Sequence, residues 1–131
     1  MIDPLDYVAI HQLYALYGHI ADQAEWSRMD ELFMPDVEFD GTDFGGDIYR
    51  SLQELHASWS TTDSHPLAHH ATNILITKSE PDRVELMSKG ISALRDLRMI
   101  SIVYFDTVVR GPEGWRFSRR VAKRRRMIKN D

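Results

Sequence analysis

Proton transfer near neutral pH is served well by an imidazole, whose ordinary pKa of about 6.5 lets it give or take a proton there. Residues 66–75, PLAHHATNIL, place two of them side by side, His69 and His70. The stretch reads as the start of a strand. Successive strand side chains point to opposite faces, so only one of the pair can look into an interior. His70 shares its face with Thr72, Ile74 and Ile76, and His69 shares the other with Ala71, Asn73 and Leu75. Both faces are mixed, and alternation alone does not choose. Tyr14, Tyr17 and Tyr104 add phenols that can donate to a carbonyl oxygen where charge develops, or pack as core aromatics. Asp106 shares a strand face with Tyr104 and reads either as a pocket carboxylate or, the preferred reading, as the partner of an arginine such as Arg110 or Arg119. His65, His69, His70 and Asp63 form a local cluster, but adjacent strand histidines point apart, so no metal site is expected. The chain has no cysteine, no phosphate-binding glycine loop and no nucleophile-elbow motif. Thiolate chemistry is therefore excluded, and neither a nucleotide cofactor nor a covalent hydrolase is expected.

These residues must be positioned by the elements around them. Asp3 before Pro4 is a helix start, with the carboxylate as N-cap and proline at the first helical position. Ile10, Leu13, Tyr14, Tyr17 and Ala21 recur at helical spacing, predicting a helix from about residue 4 to about residue 23. Its neighbouring stripe carries His11, Ala15, Gly18 and Asp22, so an acid stands at the helix end with small residues beside it. A short second helix presents Trp26, Met29, Leu32 and Phe33 and stops at Pro35–Asp36. VEFD then alternates as a strand, and GTDFGG reads as a loop. Ser51 and Glu54 fit a capping box that opens a helix with Leu52, Leu55 and Trp59 on one side. Long strands follow at about 67–77, 83–94, 98–110 and 115–125, with turns at SEPD and RGPEG. Helices first and antiparallel strands after predict an α+β domain whose curved sheet, covered by helices, leaves a cone-shaped pocket. Trp26, Phe33, Phe39 and Trp59 are read as core or pocket wall, and Asn73 as a polar group in that wall or one that bonds a neighbouring backbone.

The 131 residues predict one domain, residues 1–131, large enough for a single core. No apolar run is long enough to cross a membrane and no signal peptide is read at the start, so a cytoplasmic location is expected. The net charge of −4 hides an asymmetry. Residues 1–115 carry eight Lys and Arg against nineteen Asp and Glu, whereas residues 116–131 carry eight against one. A nucleic-acid patch would use such a tail, but aromatic residues are scarce within it and the rest of the chain is acidic. Solvated charge on a last strand, which discourages edge pairing, is the preferred reading.

YGHIADQAEWSRMDELFMPDVEFDG, HHATNILI and YFDTVVRGPEGWRFSRR, taken in this order, resemble the SnoaL-like proteins of the nuclear-transport-factor-two-like superfamily. The resemblance spans about Ile10 to Arg120. It implies a cone-shaped α+β barrel, a mostly antiparallel curved sheet wrapped around N-terminal helices. Against scytalone dehydratase it places the helix-end acid on Asp22 and the strand histidine on His70. The tyrosine before that acid is replaced here by Ala21, and a second pocket histidine has no counterpart in MISIVYFDTVV. The resemblance thus selects His70 as the inward ring, and the bulky Ile74/Ile76 row agrees. It implies a cofactor-independent cyclase, dehydratase or isomerase for a small hydrophobic carbonyl compound, with Asp22 and His70 exchanging protons. Tyr14, Tyr17, Trp26, Phe39, Trp59, Asn73 and Tyr104 would contact the substrate. The alternative it carries is a non-catalytic ligand-binding or subunit-association module, like a ring-hydroxylating dioxygenase β subunit. A homodimer, or a trimer, is implied in either case.

Overall fold

The computed structural model describes residues 2–126. Helix α1 (Pro4–Asp22) begins as its sequence dictates: the Asp3 carboxylate accepts a 2.7 Å hydrogen bond from the Leu5 N–H, and Pro4 occupies the first turn. A 3-10 helix, Trp26–Glu31, leads into β1 (Phe33–Asp40). The strand therefore starts before the Pro35–Asp36 pair, which had been expected to end a helix. Proline lacks an N–H, but β1 interrupts its ladder with its neighbour between Phe33 and Glu38, so no bond is missed there. A 3-10 turn at Thr42–Phe44 and a short strand, β2 (Ile48–Tyr49), fill the region read as loop. Helix α2 (Leu52–Trp59) opens on its capping serine, with Glu54 N–H donating to Ser51 Oγ at 3.1 Å. The long strands are β3 (Ala68–Glu80), β4 (Arg83–Ala93), β5 (Met99–Gly111) and β6 (Gly114–Arg124).

All six strands form one curved, unclosed sheet in the order β2-β1-β6-β5-β4-β3, antiparallel except for the β1–β6 pair. Helix α1 packs across its concave face, chiefly on β3. The inner row of β4 is Val84, Leu86, Ser88, Gly90 and Ser92; β5 faces it with Val108, Asp106, Tyr104, Ile102 and Ile100 in direct register. These rows divide the interior. At one end Val84, Leu86, Val108 and Phe117 join α1, α2 and β1 in a large apolar core. At the other, Ile102, Tyr104, Ala122 and Ile100 form a small separate cluster. The gap between the helical layer and that cluster is the cone.

Strand β3 contains the feature that sets which histidine enters it. Its pairing with β4 slips by one residue between Thr72 and Leu75, and Asn73 there has φ of 52°. Asparagine tolerates this left-handed conformation better than other residues with a Cβ. The inserted residue makes a β-bulge and reverses the alternation beyond it. Ile74 and Ile76 pack on the core, yet upstream of the bulge the same inner face belongs to His69, opposite buried Ser92.

Candidate active site

Helix α1 ends where β3 begins, and Gly18 lets the two come together. A Cβ at position 18 would lie 2.8 Å from the His69 carbonyl oxygen, so a larger residue would push the helix off the strand. One turn on, the Asp22 carboxylate meets His69. It accepts from the His69 backbone N–H at 3.0 and 3.2 Å and from ring Nδ1 at 2.6 Å. The backbone bond fixes the carboxylate as acceptor, so Nδ1 carries the hydrogen and Nε2 presents its lone pair. The His69 and Asp22 side chains are 15% and 25% accessible, although Asp22 as a whole residue is exposed. Burial lowers the His69 pKa below the ordinary histidine value; the hydrogen bond and charge of Asp22 oppose this and only partly restore it. The lowered pKa favours the neutral ring, and Nε2 has no hydrogen-bond partner among the described residues.

The assignment of His70 as the inward ring is corrected here. His70 is exposed on the strand face opposite to His69, because the bulge at Asn73 uncouples it from the Ile74/Ile76 row. The Asp22 carboxylate bonds the neighbouring histidine, His69, and not His70.

His69 lines a cavity of about 430 Å3. Its buried wall includes Tyr17, Phe39, Ile102, Tyr104 and Ala122, with Trp59 half-buried beside them. Phe44, Ser64 and Arg124, all exposed, mark the mouth. Gly90 makes room for the tyrosine: a Cβ there would lie 2.6 Å from the Tyr104 ring. The Tyr104 hydroxyl makes no hydrogen bond among the described residues, and burial raises its pKa, so it remains a protonated donor. Of the other expected contact residues, Trp26 lies outside this cavity, lining an adjacent groove of about 560 Å3 together with Asp22 and His65. Tyr14 is not in the cavity wall, and Asn73 is exposed at the bulge. Both are corrected for the same reason, that tertiary bonding or backbone conformation claims the side chain first.

Tyr14 donates at 2.6 Å to Asp106, which also takes a bidentate pair from Arg120 at 2.9 and 3.0 Å. Asp106 thus pairs with its direct cross-strand neighbour, Arg120, and not with Arg110 or Arg119, which bind Asp6 and Glu38. Burial opposes the Arg120 charge, but Asp106 more than offsets it and the guanidinium pKa is raised. Its plane stacks on Tyr104 at 3.8 Å and on Tyr17 at 4.4 Å. Sequence inspection missed Arg120 within a basic run where every arginine looks alike. It also missed Ser92, whose buried Oγ has no hydrogen-bond partner among the described residues. The one legible signal for the histidine choice was asparagine in the middle of a β-branched strand, which marks a bulge.

No three His, Asp or Glu among the described residues group as a metal site needs. No described helix is long and apolar enough to cross a membrane.

The sequence profile of the SnoaL-like domain matches residues 4–121. The chain belongs to the SnoaL-like family. No curated protein matches this SnoaL-like chain. Among solved structures it is similar to a Novosphingobium aromaticivorans protein provisionally described as an aromatic ring hydroxylase. That pair shares 25% identity and a TM-score of 0.76, over 95% of this chain and 93% of the other. A second protein of that organism, provisionally described as a scytalone dehydratase, has 20% identity and a TM-score of 0.76 over 93% and 85% of the two chains. A variant of Rv3472 from Mycobacterium tuberculosis has 18% identity and a TM-score of 0.83 over 96% and 80%. The last two likenesses establish the fold of this SnoaL-like protein, which other neighbours describe as cystatin-like and nuclear-transport-factor-two-like.

Proposed function

We propose that this SnoaL-like protein is a cofactor-independent acid–base enzyme, a cyclase, dehydratase or isomerase, acting on a small hydrophobic carbonyl compound. One observation carries the reading: His69, held by Asp22 at 2.6 Å, lines a cavity of mixed apolar and polar wall, and its Nε2 has no hydrogen-bond partner among the described residues. A volume of about 430 Å3 suits a small organic molecule, and the polar groups set among the aromatic and aliphatic wall would fix its orientation. The name carried by the 25% identical relative is in keeping with an aromatic substrate.

The chemistry follows from the protonation states. Neutral His69 begins as base. Nε2 takes a proton from the carbon beside the carbonyl, and the C–H electron pair moves into the enolate. Its oxygen takes up the negative charge and the Tyr104 O–H donates to it. Asp22 stabilises the imidazolium so formed, which then returns its proton to another carbon or to a departing oxygen. The first course gives isomerisation and the second dehydration; attack of the enolate carbon on a second carbonyl gives cyclisation.

The lack of cysteine suits a reducing cytoplasm. Leu75, Met87 and Phe105, exposed and in direct register across the outer sheet face, support self-association there. Light scattering of the intact protein reads the oligomer, and a monomer at working concentration rejects it.

Turnover of a panel of polyketide-like and steroid-like ketones by the native protein, His69→Asn and His70→Asn tests the mechanism. His69→Asn is expected to lose about 10²–10⁴-fold in rate, whereas His70→Asn keeps the native rate. Equal turnover by native protein and His69→Asn removes the acid–base reading.

A further inference from the structure

The basic end of the chain has a use that charge alone does not reveal. Along β6 most arginines are engaged: Arg116 donates to the Asp30 carbonyl, Arg119 pairs with Glu38 and Arg120 with Asp106, and beyond the strand Arg126 pairs with Asp43. Arg124 differs. Its backbone N–H donates to Asp43 at 2.6 Å, which pins the end of the strand, but its guanidinium makes no hydrogen bond or ion pair among the described residues. That guanidinium lies over the Phe44 ring at 5.6 Å, and both side chains line the cavity mouth. Asp43, the carboxylate that Arg124 touches, is already occupied by Arg126 at 2.9 and 3.1 Å. The cavity's other lining groups include no carboxylate. Ser92, on the strand position opposite His69, also lines the cavity, and its buried Oγ has no partner among the described residues.

A neutral hydrocarbon substrate would leave all of these donors unanswered. We propose that the cavity takes an aromatic carboxylate, its flat body between Phe39 and Trp59 on one side and Ile100 and Ile102 on the other, and its carboxylate on Arg124 at the mouth. A planar guanidinium matches a carboxylate with two parallel N–H donors, and stacking on Phe44 keeps the fork in place. Among the cations without an ion pair in the described residues, Arg124 is the one that lines this cavity. It attracts an anion at the cavity entrance and nowhere else along the wall. His69 then faces the body of the ligand.

This inference rests on the proposed use of the cavity as a substrate site, and its test is separable from the mechanism because binding needs no turnover. Quenching of tryptophan fluorescence, with Trp59 in the wall, is read during titration with 2-naphthoate and with its uncharged isostere, 2-naphthamide. At low salt the naphthoate is expected to bind about tenfold tighter, as a hydrogen bond to a charged group allows. The gap should narrow as salt is raised. Arg124→Gln should close it while leaving naphthamide affinity unchanged, and Arg124→Lys should keep part of it. Arg125→Gln, which removes the same charge from an exposed neighbour, should leave it intact. Equal affinities for the two probes in the native protein, a gap that survives Arg124→Gln, or no quenching by either probe overturns the inference. A native naphthoate preference together with full turnover by His69→Asn would keep this inference and discard the catalytic mechanism alone.

Discussion

Two acid–base pairs hold elements of this SnoaL-like protein together, and they differ in what is left over. Asp106 and Arg120 are sealed, with side chains 0% and 1% accessible, and the acid's oxygens are filled by the guanidinium and the Tyr14 hydroxyl. Asp22 and His69 meet at a similar distance but at the junction of a cavity and a groove, partly open, with one ring nitrogen unengaged. The first pair connects β5, β6 and α1 and has no acceptor to offer. The second connects α1 to β3, and its histidine lines a ligand-sized space. Burial and completeness of partners, more than residue type, separate the sealed pair from the one proposed to transfer protons.

The largest effect expected from breaking this contrast is at the sealed pair. Asp106→Asn leaves a buried guanidinium without its counter-charge and should cost about 3–5 kcal/mol in urea denaturation. Replacing both partners, Asp106→Leu with Arg120→Met, should recover much of that loss. A single variant as stable as the native protein would show that the pair does not support the fold.

Gly18→Ala should come next, at about 1–3 kcal/mol, since its Cβ would press on the His69 carbonyl backbone and cannot be relieved by a rotamer change. Because the same contact positions Asp22, turnover should fall further than stability does. Proportionate losses would mean that the helix–strand approach supports packing only.

Asn73→Ala tests the bulge. Alanine lacks the local hydrogen bonding that eases a left-handed backbone, so a loss of about 1 kcal/mol is expected. An unchanged midpoint would argue against that conformation.

The smallest effect is in pH. Burial depresses the His69 pKa in the folded protein, so below about 6.5 the unfolded chain binds the proton more readily. Stability should therefore fall as pH drops through 6.5 toward the depressed folded value. Asp22→Asn removes the influence that raises this pKa, and should move the His69 titration, followed by NMR, to still lower pH. A shift upward would contradict the assigned balance of burial against carboxylate.

The helix of residues 4–22 was legible because capping and a repeating apolar stripe are local properties, and its register put Asp22 at the terminus without further information. The long strands were legible for the same reason, to within a few residues at their ends. Pro35–Asp36 misled because a proline ends a helix on local grounds, whereas here an unpaired stretch of β1 accommodates it. His69 and His70 could not be separated by a two-residue period, since a single inserted residue at Asn73 reverses the faces downstream. Arg120 and Arg124 could not be told from their neighbours, because their roles depend on register against Asp106 and on the place where the sheet opens.

By itself the sequence determined the inventory and the local elements: no thiol, an acid at a helix end, two histidines on a strand, and a basic final strand. Tertiary structure alone decided which histidine meets the acid, which arginine is buried and which lines the cavity. Capping and periodicity are written within a few residues of chain, but a bulge, a cross-strand register and a cavity exist only once distant segments have packed.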